Sequence, residues 1–224
     1  MVLARAFAVA MLISCGGSSE LTTDAARLVD AGELYLPSGT TLTPYLSTEA
    51  QHSFSAAGTA TEAGKDYLAV IETPVGRIVV DLYEEQTPIT VNSFVWLALH
   101  HFYDGIAFHR VISGFVAQGG DPNTLEADRS TWGEGGPGYE FGLEIVPELT
   151  YDGAGVVAMA RAAAPNTNGS QFFITFAPQH SLDGDYTIFG RVTEGLDVLP
   201  LLVRGEPPAN PTRMQRVHIV ERAR

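Results

Sequence analysis

A single cysteine, Cys15, leaves no partner for an intrachain disulfide and no second sulfur for a thiolate metal cluster, so an apolar core must supply the stability. Basic residues are scarce as well. Thirteen Lys plus Arg stand against 26 Asp plus Glu, and the net charge of −13 repels both nucleic-acid phosphate and anionic lipid headgroups, which argues against nucleic acid as a partner. No segment reaches the roughly 20 apolar residues of a transmembrane helix, and no internal repeat is present. What remains is a chain of 224 residues with 45% hydrophobic side chains. That is enough for one large domain, or a mid-sized domain with an extra segment, and too much for a fully disordered chain.

The first fourteen residues, MVLARAFAVAMLIS, carry one positive charge at Arg5 and then an apolar run from Ala6 to Ile13, closed by a small residue. This is the anatomy of a short secretory signal. The boundary Leu12-Ile13-Ser14-Cys15-Gly16 resembles the lipobox of bacterial lipoproteins, whose cysteine is acylated and becomes the mature N-terminus. Residues 1–14 are therefore expected to be a lipoprotein-type signal and Cys15 the lipid attachment residue. Residues 15–66, rich in Ser, Thr, Ala and Gly and without a period of 2 or 3.6, read as a mostly irregular tether. One short helix is predicted at Asp24 to Ala31, and Leu34, Tyr35, Leu36, Leu42, Tyr45, Leu46 and Phe54 allow part of the tether to dock on the domain surface. The implied location is outside the cytoplasm, in a cell envelope or periplasm, with a lipid as the only hold on the membrane.

From Tyr67 to Arg224 short β-rich runs alternate with Gly and Pro. Eight strands are predicted, near Tyr67–Glu72, Arg77–Tyr83, Ala107–Val111, Phe115–Gly119, Gly155–Ala160, Gln171–Thr175, Thr187–Val192 and Arg216–Glu221, with the first hairpin turn at Pro74-Val75-Gly76. Two helices interrupt them. The first follows Thr87 as cap and Pro88 at N1, with an apolar face of Val91, Phe94, Val95, Leu97, Ala98 and Phe102; the second runs from about Glu194 to Leu202. Eight strands with two helices suggest a closed barrel with covered ends, since closure removes exposed strand edges.

Three runs carry the chemistry. FHRVISGFVAQGGD, Phe108 to Asp121, sets Arg110 among aromatic and aliphatic neighbours with Gln118 a few residues on; NTNGSQFF, Asn166 to Phe173, adds hydrogen-bonding groups before paired phenylalanines; LDGDYTIFGRV spans Leu182 to Val192. In order and spacing they resemble the cyclophilins, over roughly residues 67 to 222. The resemblance implies a mainly β fold, a closed eight-stranded antiparallel barrel capped by two α-helices, and peptidyl-prolyl cis-trans isomerase activity. Such a reaction makes and breaks no bond, so no cofactor and no metal are expected.

Carried over by the resemblance, Arg110, Gln118 and Phe115 are the catalytic candidates, with Arg110 stabilising the pyramidalised prolyl nitrogen and Gln118 bonding substrate backbone. Phe115, Val116, Phe173 and Leu182 would wall the proline pocket. Ala160 and Gln171 match positions that receive the residue before proline, and Arg161 stands at a backbone-contact position where asparagine is more usual. Tyr186 takes the place of a frequent histidine, Val116 that of a methionine, and Ser181 that of the tryptophan of cyclosporin-sensitive members. Cyclosporin binding should accordingly be weak. The implied partners are proline-containing polypeptides, and the protein is expected to act as a monomer.

Competing readings have weaker support. Gly153-Ala154-Gly155-Val156-Val157-Ala158 and Gly133-Glu134-Gly135-Gly136-Pro137-Gly138 satisfy glycine fingerprints of dinucleotide sites, yet Pro137 spoils one turn and Val156-Val157 open a strand where a helix is required. His100, His101 and His109, near Asp104 and Asp121, invite a metal reading but lack ligand spacing. A proline-peptide-binding or chaperone module without turnover is the alternative from another functional class, and its signature would be loss of Arg110, Phe115, Gln118 or Phe173. All four are present.

Overall fold

Nine antiparallel strands and one α-helix carry the chain in the computed structural model, which describes residues 34–224. In chain order they are β1 (Thr41–Leu42), β2 (Lys65–Thr73), β3 (Gly76–Leu82), α1 (Pro88–Leu99), β4 (Arg110–Val111), β5 (Val116–Gly119), β6 (Val156–Met159), β7 (Phe172–Thr175), β8 (Ile188–Glu194) and β9 (Arg216–Ala223). The strands form one sheet of order β1-β9-β2-β3-β8-β6-β7-β5-β4. Pro74 and Val75 make the β2–β3 turn, where the Thr73 hydroxyl donates to the Gly76 carbonyl at 2.6 Å and Thr73 pairs with Gly76 across the ladder. Beyond the sheet's paired strands, the segments before β4 and before β9 exchange backbone bonds: Gly105 N–H to Met214 O, Met214 N–H to Ile106 O, and Phe108 N–H to Thr212 O.

The predicted apolar face of α1 is the buried one, and Val91, Phe94, Val95, Leu97 and Ala98 pack against the β2, β3 and β9 side chains Ile71, Ile78, Val217 and Ile219. Phe94 is the hub of an aromatic cluster, with ring centroids 4.9 Å from Tyr103, 5.6 Å from Phe172 and 5.3 Å from Phe189. Thr87 precedes Pro88 as expected, yet its hydroxyl donates back to the Tyr83 carbonyl and caps nothing. The orphan amides of the first turn are met instead by Glu144, whose carboxylate accepts from Ile89 N–H at 3.0 Å and Thr90 N–H at 2.7 Å. A carboxylate at this end is also favoured by the helix dipole.

The expected architecture is corrected in strand number and in the second helix. There are nine strands rather than eight, because β1 pairs with β9 through Thr41↔Glu221 and Leu42↔Val220. The pairing order has β1 and β4 as its ends and is not closed by a strand pair. The second helix is absent: β8 runs to Glu194, Gly195 turns the chain at φ +86°, and only a 3-10 turn at Leu199–Leu201 follows. Pro200 lacks the amide a longer helix would need there. The helix predicted at Asp24 to Ala31, the signal at residues 1–14 and Cys15 lie outside the described residues.

Leu36–Arg224 forms one compact unit, so the later part of the segment read as a tether lies on the β-rich body. The Tyr45 ring stacks on His101 at 3.9 Å and its hydroxyl bonds His218 Nδ1 at 2.8 Å; Leu46 N–H donates to Leu99 O, and Ala60 N–H to Asn92 Oδ1. Gly58 lies flat on Trp96, where a Cβ would come within 2.4 Å of the indole ring.

Candidate active site

Register across four strands assembles the site. Arg110 on β4 stands opposite Gln118 on β5, Gln118 opposite Phe173 on β7, and Phe173 opposite Ala158 on β6. Directly opposed residues share a face, so the row points one way, and Val116, two positions from Gln118, joins it. The neighbouring Phe172 points the other way into the main core, while Phe173 joins a separate apolar cluster with Val116, Tyr151 and Ile188.

Arg110, Phe115, Val116, Gln118, Ala160, Arg161, Phe173, Leu182 and Tyr186 line one open cavity of ≈ 110 Å³. Gln171, the remaining residue expected at the site, lines an adjoining cavity of ≈ 820 Å³ that shares Gln118, Ala160 and Arg161 with the first. The two are tied by amides: Gln118 Nε2 donates to Gln171 Oε1 at 3.0 Å, and Gln171 Nε2 donates to the carbonyls of Gly133 and Gly135 at 2.9 and 2.8 Å. Gly135 is required at its position, since a Cβ there would fall 2.1 Å from Asp121 Oδ1. Asp121 itself is buried and accepts from Asn123 N–H and Gly133 N–H.

Arg110 is half-exposed, with its guanidinium carbon 5.5 Å from the Phe115 ring centroid and Nε 2.5 Å from Glu206 Oε1. Glu206 carried no signal in the sequence, because it lies 96 residues further on in an irregular loop. Beneath the pocket the buried Tyr151 ring stacks on Phe173 at 6.0 Å and 18°, and Tyr186 meets Phe173 edge-on at 5.6 Å. Burial raises the Tyr151 phenol well above its ordinary value. The smaller cavity thus offers an apolar slot flanked by two arginines, Arg110 and Arg161. Its lining includes no serine, threonine, cysteine or carboxylate, and the hydroxyl it does include is the Tyr186 phenol.

The histidines considered as metal ligands do not converge on one point. His100 Nδ1 bonds Trp96 O at 2.7 Å, His101 Nδ1 bonds Asp104 Oδ2 at 2.9 Å, and His109 is buried behind the groove, where desolvation lowers its pKa. Among the described residues no group of three or more His, Cys, Asp or Glu is placed to share an ion.

The site joins a small apolar slot to two arginines and a pair of linked glutamines. The family model for "Cyclophilin type peptidyl-prolyl cis-trans isomerase/CLD" matches residues 68–222. The chain belongs to that family and is a peptidyl-prolyl cis-trans isomerase. It is 44% identical over 154 residues to peptidyl-prolyl cis-trans isomerase-like 1 of Rhizopus delemar, covering 68% of this chain and 87% of the relative. Its identity to the isomerase ppi1 of Schizosaccharomyces pombe is 49% over 129 residues, 57% of this chain and 79% of that one. Among solved structures, the cyclophilin-type isomerase of Cryptosporidium parvum, crystallised in the presence of the dipeptide Ala-Pro, superposes with TM-score 0.62 at 35% identity, covering 68% of this chain and 98% of its own.

These relatives correct the expected location. An exported, lipid-anchored protein of a bacterial envelope or periplasm is not what the similarity supports: the curated relatives at 44% to 49% identity are eukaryotic isomerases. No helix among the described residues is long and apolar enough to cross a membrane.

Proposed function

We propose that Arg110 is the catalytic donor of this isomerase, that Phe115, Val116, Phe173 and Leu182 receive the prolyl ring, and that Gln118 bonds substrate backbone. The observation that carries the reading is the convergence of Arg110 with the apolar side chains of Phe115, Val116, Phe173 and Leu182 on a slot of ≈ 110 Å³. An X-Pro amide resists rotation through a resonance barrier of about 18–20 kcal/mol. Twisting the C–N bond localises a lone pair on the prolyl nitrogen, and a guanidinium beside it stabilises the twisted state more than either planar isomer. Arginine keeps this charge at every relevant pH. About 1.4 kcal/mol of such differential stabilisation gives each decade of rate, so a few directed bonds in a half-dry slot suffice.

Ala160 and Gln171 would flank the residue before proline, Arg161 and Tyr186 the groove wall. Substrates are proline-containing polypeptides, the protein acts as a monomer, and Ser181, exposed on the turn His180–Leu182, offers no indole to grip cyclosporin. The bonds between the segments before β4 and β9 support a sheet curled into a barrel. As a functional division, the catalytic domain follows the N-terminal segment and includes residues 67–224.

Exchange spectroscopy on a Pro-containing peptide tests the assignment. Phe115→Ala and Phe173→Ala should weaken peptide binding, whereas Arg110→Ala should slow interconversion of bound peptide more than it weakens binding. Binding by the parent without catalysed exchange would instead mark a binding module.

A further inference from the structure

Arg161 stands where the two cavities meet and lines both. Its guanidinium is fixed entirely by uncharged groups. Cζ lies 4.9 Å from the Tyr186 ring centroid, Nε donates to the Asp185 carbonyl at 2.9 Å, and Nη1 donates to the carbonyls of Ala162 and Ala163 at 2.9 and 3.1 Å. Among the described residues no carboxylate forms an ion pair with Arg161 and Nη2 has no hydrogen-bond acceptor, whereas Arg110 across the slot is paired through Nε with Glu206. In a chain of net charge −13, a half-buried arginine left without a counter-ion on a peptide groove is a charge for the ligand to complete. Stacking and carbonyl bonds have already ordered the side chain, so little rotamer entropy is lost when a carboxylate arrives.

We propose that Arg161 selects substrates with an acidic side chain immediately before the isomerised proline. This rests on the isomerase reading of the groove. With the prolyl ring among Phe115, Val116, Phe173 and Leu182, the preceding residue lies over Ala160 and Gln171, which are joined by the Ala160 N–H to Gln171 O bond at 2.9 Å. Ala160 is the chain neighbour of Arg161, so a carboxylate of Asp or Glu length at that place meets the free Nη2 edge. A lysine or arginine there meets like charge. Glu134 and Glu140 line only the larger cavity, and neither forms an ion pair with Arg161.

The test uses the full chain and the peptides Ala-Glu-Pro-Phe, Ala-Gln-Pro-Phe and Ala-Lys-Pro-Phe, blocked at both ends, each titrated by NMR at low ionic strength while cis/trans exchange is read in the same samples. The glutamate peptide should bind roughly fivefold to tenfold more tightly than the glutamine peptide, and the lysine peptide more weakly than either. The gap should collapse in salt on the order of 0.5 M and in Arg161→Gln, and persist in part in Arg161→Lys. Comparing peptides within one variant makes the ratio independent of any change in folded fraction. Equal affinity for glutamate and glutamine peptides in the parent, or a preference that survives Arg161→Gln, overturns the proposal. Exchange of the glutamine peptide reports the isomerase separately, so loss of that reading is seen as bound peptide without catalysed exchange.

Discussion

Arg110 on β4 is held by Glu206 from a loop 96 residues further along the chain, with Nε and Oε1 2.5 Å apart. The carboxylate engages only the Nε edge, and neither Nη has a partner among the described residues, which leaves the terminal nitrogens free for substrate. Both side chains are substantially exposed, at 36% and 53%, so the pair contributes little to stability, about 0–1 kcal/mol. Its value is in orientation.

Glu206→Gln should therefore lower kcat about threefold to tenfold with little change in KM, and leave unfolding free energy within about 1 kcal/mol of the parent. Steady-state kinetics beside a urea titration separates the two effects. Unchanged kcat would show that Arg110 needs no such hold.

Tyr151 supports Phe173 from below, yet its buried hydroxyl has no hydrogen-bond partner. Removing an unsatisfied buried polar group relieves its desolvation cost. Tyr151→Phe should be neutral or stabilising by up to about 1 kcal/mol, whereas Tyr151→Ala should cost about 3–5 kcal/mol and loosen the Phe173 wall. Thermal unfolding of the two variants checks the pair. A destabilised Tyr151→Phe would mean that the hydroxyl is bonded in solution.

Gly58→Ala tests whether the N-terminal segment is part of the folded body. The new methyl would be forced into the Trp96 ring, and such overpacking costs about 1–3 kcal/mol. Shortening the chain to 67–224 should destabilise it further, because Tyr45, Phe54 and the bonds to Asn92 are lost together. Calorimetry of both proteins gives the answer, and full stability in both would return the segment to the role of a spacer.

Three buried or half-buried histidines set the acid limb of stability. His52, His109 and His218 are each held below the ordinary histidine value, with desolvation the largest cause, although Asp104, Asp121 and Glu72 respectively pull the other way. A depressed histidine pKa means the unfolded chain binds more protons, so stability is full above the ordinary value and falls as pH drops toward the folded one. Tm should decline between pH 7 and about 5. None of the proposed substrate contacts is a group that titrates near neutrality, so turnover of a neutral peptide should stay nearly flat from about pH 6 to 8. A Tm that rises on acidification, or a bell-shaped rate profile in that range, would contradict these assignments.

Eight of the nine strands were legible because β-branched and aromatic runs bounded by Gly and Pro report a half-buried pleat. β1 was not, since two residues show no period and only the register to β9 defines them. Glu194 to Leu202 reads as a helix because its leucines mimic a helical face, while Gly195 and Pro200 impose turns in the folded chain. At the site, Arg110, Gln118 and Phe173 could be read from their motif runs, and cross-strand register explains their shared face. Glu206, Glu144 and Tyr151 act through tertiary contacts that no local pattern announces.

The most direct measurement is a cis-to-trans assay on a short X-Pro peptide with the parent protein and Arg110→Ala, matched for folding by circular dichroism and Tm. The parent should accelerate interconversion strongly and the variant should lose most of that acceleration, with peptide binding weakened far less. Near-normal turnover by a folded Arg110→Ala protein would contradict the role given to this arginine.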